Sequence, residues 1–138
     1  MDLLFWLVAL VLVGLALLHL AWGLGAVWPG RDPLDLAGKV VGTLDPGRMP
    51  SSVACFIVAA GLAGSAVSLT LLPVLGDRWP VLRALGFAVG AVFLMRGVLG
   101  YLLPRLSRTG LAFDRLNRLI YSPLCLVLGG LTLLALRG

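Results

Sequence analysis

Four stretches of this sequence, at about residues 3–28, 52–75, 81–103 and 116–136, stay apolar for long enough to cross a bilayer, which takes about 20 residues per helical span. Inside hydrocarbon every backbone N–H and C=O must find its partner within the chain. Four such stretches in 138 residues therefore predict one domain over 1–138, an all-α integral membrane bundle of four antiparallel helices. Hydrophobic residues make up 60% of the chain and charged residues 12%, against roughly 45–50% and about 25% in soluble domains. That balance excludes a disordered chain and a conventional water-soluble enzyme.

The charges sit between the spans. There are ten arginines, one lysine and six aspartates, with no glutamate or glutamine, for a net charge of +5. Nucleic-acid binding is not expected, because it needs a basic stripe with aromatics on an exposed soluble fold. The connections 29–50 and 104–118 hold Arg31, Lys39, Arg48, Arg105, Arg108, Arg115 and Arg118, and the opposite side holds Arg78, Arg83 and Arg137. The positive-inside rule then puts both connections in the cytoplasm and both termini outside. The acidic start, Met1-Asp2-Leu3, and the lack of a cleavage site make the first stretch a retained span rather than a signal peptide. Trp6 and Trp28 are spaced as two interfacial anchors on one helix. Residues 34–44 are amphipathic enough to lie along the interface.

Small residues mark packing faces. Ala60, Gly64 and Ser68 recur every four residues in the second span, and Gly86 and Gly90, then Gly97 and Gly100, in the third. Such stripes let helix backbones approach closely, within one chain or between two copies in a homo-oligomer. Pro123, near the start of the fourth span, predicts a kink in a helix that begins at about Asp114. Cys55 and Cys125 are isolated and read as small apolar residues. One histidine and no glutamate leave too few ligands for a metal, heme or flavin, so no cofactor is expected.

Counting residues from the span ends places the polar groups at one depth. His19 lies about 13 Å and Arg96 about 10 Å inside the cytoplasmic ends of their spans, and Tyr121 and Ser122 follow Arg118 by one turn. Ionisable groups within spans are costly and face a bundle interior or a cavity. A polar pocket in the cytoplasmic half is therefore expected, with His19, Trp22, Arg96, Tyr101, Asp114, Arg118, Tyr121 and Ser122 as walls.

The pieces His19-x-x-Trp22-Gly23-x-Gly25, Arg96-Gly97-x-x-Gly100-Tyr101 and Phe113-Asp114 followed by Tyr121-Ser122-Pro123-Leu124-Cys125-Leu126 give the chain a resemblance. It resembles, over essentially its whole length, the small bacterial membrane proteins of the domain-of-unknown-function 3995 family. The resemblance implies a four-helix integral membrane protein of a bacterial cytoplasmic membrane and no established activity. It puts the family's recurrent residues where depth counting puts the pocket.

Three functions compete at this point. The first is an intramembrane enzyme of terpene-cyclase or isomerase type, opening an isoprenoid-like substrate by protonation. Burial would keep Asp114, or alternatively Asp45, protonated as the acid. His19 or Tyr121 would orient it or take the final proton, with Arg96 beside them. Trp22, Phe93, Tyr101, Phe113 and Tyr121 would line the carbocation by cation–π attraction, and Arg118, Ser122 and Asp45 would complete the substrate site. The second is a non-catalytic binder of membrane lipid or another lipophilic small molecule, or an accessory subunit. The third is a small transporter, disfavoured because no carboxylate lies mid-span.

Overall fold

The computed structural model describes residues 2–42, 50–102 and 111–137. Six α-helices account for nearly all of them: α1 Asp2–Gly23, α2 Pro33–Val40, α3 Ser52–Leu75, α4 Pro80–Leu102, α5 Leu111–Leu116 and α6 Ser122–Ala135. A π-helical turn, Asn117–Tyr121, joins α5 to α6 without a break. Helices α1, α3 and α4, and the continuous segment Ala112–Ala135, are each long and apolar enough to cross a membrane. The protein is an integral membrane four-helix bundle.

Each span turns one narrow stripe inward. In α1 the buried positions are Phe5, Val8, Ala9, Leu12, Ala16 and Gly23, and in α3 they are Ala59, Ala66, Ser68, Leu69 and Leu72. Steps of three and four residues keep such positions on one face of a helix. Much of the remaining surface of each helix is exposed and apolar, as a surface solvated by lipid tails requires. Phe5, Val8, Ala9, Leu12, Ala66, Leu69, Leu72, Leu128, Ala135 and Leu136 form the apolar core. That core joins the start of α1, the end of α3 and the end of α6. Arg83 closes this end: its Nη2 donates to the Leu136 carbonyl at 2.9 Å, a favourable place for a cation because the carbonyls at a helix C-terminus carry negative charge.

Helix α4 buries only glycines: Gly86, Gly90, Gly97 and Gly100. All four face α6 or its neighbours. A methyl at Gly97 would sit 2.7 Å from the Leu126 side chain, and one at Gly129 would sit 2.8 Å from the Gly90 carbonyl oxygen. The two backbones therefore meet through a glycine seam. The Ala60–Gly64–Ser68 stripe differs. Ser68 is buried, but Ala60 and Gly64 are exposed, and a methyl at Gly64 meets nothing within 4 Å. Within the chain α3 packs through Ala59, Ala66 and Leu69 instead.

Helix α1 stops at Gly23, short of the expected Trp28. The Leu24, Gly25 and Ala26 amides bond back to Leu20, Ala21 and Trp22 carbonyls, and Gly25 takes φ +97°, a backbone state open to glycine but costly for a side chain. The chain then reverses, so Trp28 lies beside Trp22 rather than further along the same helix: Trp22 Nε1 donates to the Trp28 carbonyl at 2.7 Å. Helix α2 starts at Pro33 behind an Asp32 cap whose carboxylate accepts from the Asp35 amide. The Lys39 ammonium and the Arg31 amide, both bonded to the Asp35 carboxylate, hold its pKa below the ordinary aspartate value. Leu36, Ala37 and Gly38 of α2 are buried, so this helix is packed onto the bundle and is more than a surface float.

Candidate functional site

The polar groups gather where α1 and α4 end and where α3 and α6 begin, and the structure divides them into two clusters. The first lies between α4 and the π turn. Pro123 has no N–H and its ring would clash with the carbonyl four residues back, which disfavours a regular α-helix there. The expected strain is relieved by widening the turn to i→i+5, with the Ser122 amide donating to the Asn117 carbonyl. Turns of this kind recur at functional sites. This one aims Asn117 inward, where it is 1% exposed beside Ser122 at 0%.

Asn117 is the hub. Its Nδ2 donates to the Gly100 carbonyl. That carbonyl's helical partner would be residue 104, a proline with no N–H to give, so the asparagine stands in for the missing amide. Asn117 Oδ1 accepts from the Ser122 hydroxyl at 3.1 Å and from Arg96 Nη1 and Nη2 at 3.4 Å each. A methyl at Gly100 would collide with Ser122 Oγ and come within 2.7 Å of Arg96 Nη1. Glycine there leaves the notch through which the guanidinium reaches one turn onward along its own helix.

Asn117 was not among the residues singled out from the sequence. The signal was available: it is the one asparagine of the chain, at the depth of Arg96 and five residues before Ser122. Nearby, the Tyr101 hydroxyl donates to the Arg118 carbonyl at 3.2 Å, while the Arg118 side chain is exposed. Phe93 packs against the apolar core.

The second cluster surrounds α2. His19 Nδ1 donates to the Leu15 carbonyl at 2.8 Å, and its ring meets the edge of Trp22 at 4.9 Å. Trp22, Ala26, Leu36, Ala37, Val40 and Cys55 are among the walls of a cavity of about 200 Å³ between α1, α2 and α3. A separate apolar groove of about 360 Å³ runs between α1 and α3 along Val13, Leu17, Leu20, Phe56, Ala59 and Ala63. Phe56 lines the groove and follows Cys55, a wall of the cavity; its ring lies 2.5 Å from where a Gly23 methyl would be.

On α2's contact with the π turn, the Tyr121 hydroxyl donates to the Lys39 carbonyl at 3.2 Å. Phe113 lies 6.2 Å from the Tyr121 ring and closes over Gly42. Tyr121→Phe should loosen α2 without unfolding the bundle. The expected loss is about 0.5–1.5 kcal/mol for one neutral hydrogen bond, read as faster amide exchange over 33–40 with exchange in α1 and α3 unchanged. Asp114 is half-buried in α5 and is not among the cavity walls. Asp45, the alternative acid, lies outside the described residues. Among the described residues, no three His, Cys, Asp or Glu side chains come together as a metal site would require.

No curated protein and no solved structure matches the sequence. One family model does, described as "Protein of unknown function (DUF3995)", over residues 12–132. That match takes in α3 and α4 whole, most of α6, the second half of α1, both polar clusters and the π turn, and the chain belongs to the DUF3995 family.

Proposed function

We propose that this membrane protein binds a lipophilic small molecule, seated in the cavity beneath α2 with its tail in the α1–α3 groove. The cavity carries the reading. The side chains that line it are apolar apart from Ser52, Cys55 and the Trp22 indole, and the indole N–H is already committed to Trp28. A dry apolar cavity of 150 Å³ accommodates a benzene ring, so this one suits a ring or a single branched five-carbon unit. The α1–α3 groove suits a longer unbranched or isoprenoid-like chain. The arginine excess of connections 29–50 and 104–118 argues for this end on the cytoplasmic side of a bacterial cytoplasmic membrane, and the exposed face of α3 at Gly64 is the surface for a second copy.

Turnover of the bound molecule, by acid-initiated cyclisation or isomerisation, is the second reading. It is favoured by the Phe113 and Tyr121 rings, which flank the segment carrying Asp114. Gentle extraction followed by mass spectrometry of the organic phase tests binding. A defined lipophilic molecule should accompany the wild type and be lost from Ala37→Phe and from Ala26→Phe, two replacements that fill the cavity from different sides. Bulk phospholipid alone, equal in all three, would sink the reading. With the molecule identified, Asp114→Asn and His19→Ala separate binding from turnover, since an enzyme loses product formation while keeping the ligand.

A further inference from the structure

We infer that Arg96 is a docking point for the phosphate of an anionic membrane lipid, independent of the cavity beneath α2. Arg96 lies inside a membrane-spanning helix, six residues before its end at Leu102, or about 9 Å of rise. The residues around it on α4, Val92, Met95 and Leu99, are exposed and apolar, so this side of the helix meets lipid. A guanidinium carries five N–H donors. Those of Arg96 reach a single neutral oxygen, Asn117 Oδ1, through two long contacts of 3.4 Å. Lys39 and Arg83 each pair with a carboxylate, Asp35 and Asp77, whereas the oxygen that Arg96 meets among the described residues belongs to a neutral amide.

A full positive charge with unused donors inside a span is costly unless an anion meets it. Gly100 provides the notch, and the buried Asn117 and Ser122 form a polar floor on the bundle side of the guanidinium. The Arg96 side chain is exposed and lies less than two turns from the end of α4, so its remaining N–H groups are within reach of a headgroup phosphate. A phosphate matches the planar fork of arginine bidentately, and the charge-assisted bonds that result are roughly twice as strong as neutral ones. Arg115 and Arg118, both exposed on the adjoining segment, add positive potential at the same end, which favours an anionic headgroup over a zwitterionic one.

Native mass spectrometry of the purified protein, equilibrated in mixed micelles with matched-chain phosphatidylglycerol or diacylglycerol, tests this. The wild type should retain phosphatidylglycerol at least tenfold more than diacylglycerol, a comparison that needs no variant. Arg96→Gln, which keeps a donor for Asn117, should lower phosphatidylglycerol retention at least tenfold, and Arg96→Lys should lower it less. Millimolar inorganic phosphate should not displace the lipid. Equal retention of the two lipids by wild type, or full retention by a folded Arg96→Gln, overturns the proposal. Displacement by inorganic phosphate overturns it in favour of a soluble phosphate site.

Discussion

Asn117→Leu, an apolar replacement of nearly the same size, should lower stability by about 2–3 kcal/mol. The thermal unfolding of wild type and variant in the same detergent, followed by circular dichroism, would register it. Single hydrogen bonds between membrane helices average only about 0.6 kcal/mol. Here one side chain carries several, and their loss is not symmetric. The Gly100 carbonyl would lose the Asn117 donor, and Pro104, four residues on, has no N–H to replace it. The Arg96 guanidinium would lose the one oxygen it touches. Taking their partner from the buried Gly100 carbonyl and the buried Ser122 hydroxyl is what raises the effect above the usual value. Asn117→Asp should fall between, because it loses the donor to Gly100 but offers Arg96 a carboxylate. A loss below about 0.5 kcal/mol for Asn117→Leu, no more than one ordinary interhelical bond, would show that the cluster is not what fixes the π turn against α4.

Gly129→Ala should be of similar size, about 2–4 kcal/mol, at the upper end for overpacking a tight core. The added methyl would come within 2.8 Å of the Gly90 carbonyl oxygen and of the Leu94 amide nitrogen. Both are backbone atoms of a helix and cannot rotate away, so α4 and α6 must separate. Gly130→Ala, one residue on, and Gly64→Ala meet nothing within 4 Å. These should be neutral or gain up to about 1 kcal/mol, because alanine loses less backbone freedom in a helix than glycine. The same detergent melts read all three. A destabilised Gly64→Ala would instead reveal a second copy seated on α3.

The spans were legible because hydrocarbon imposes the same demand on every residue, so twenty apolar positions announce themselves without any knowledge of neighbours. The glycine face of α4 was legible for a similar reason: Gly86, Gly90, Gly97 and Gly100 share one side of a helix whatever packs there. The spacing of Ala60, Gly64 and Ser68 looked equally good, yet α3 turns Ala60 and Gly64 outward. Small residues permit close approach but do not choose the partner, and in α3 the choice fell to Leu69 and Leu72, which had core to fill. The end of α1 was misread because Gly23 and Gly25 are tolerated within membrane helices, and only the fold-back of Trp28 onto Trp22 decides that the helix stops. Of the site, Arg96 and Ser122 do meet, while His19 and Trp22 belong to a separate cluster around α2. Depth along a span can be counted from sequence. Rotation about its axis depends on contacts from three other helices.

The groove between α1 and α3 changes what selectivity has to mean for a ligand. A molecule that reaches it sideways from the bilayer exchanges lipid tails for Val13, Leu17 and Ala63, surroundings of the same polarity. The expulsion of water that drives a soluble receptor to take up a greasy ligand has already happened when the molecule partitioned into the membrane. Occupancy then follows the ligand's mole fraction among the lipids rather than its concentration in water, and discrimination rests on contour: the hollow left by Ala59, Ala60 and Ala63, and the stop set by the Phe56 ring.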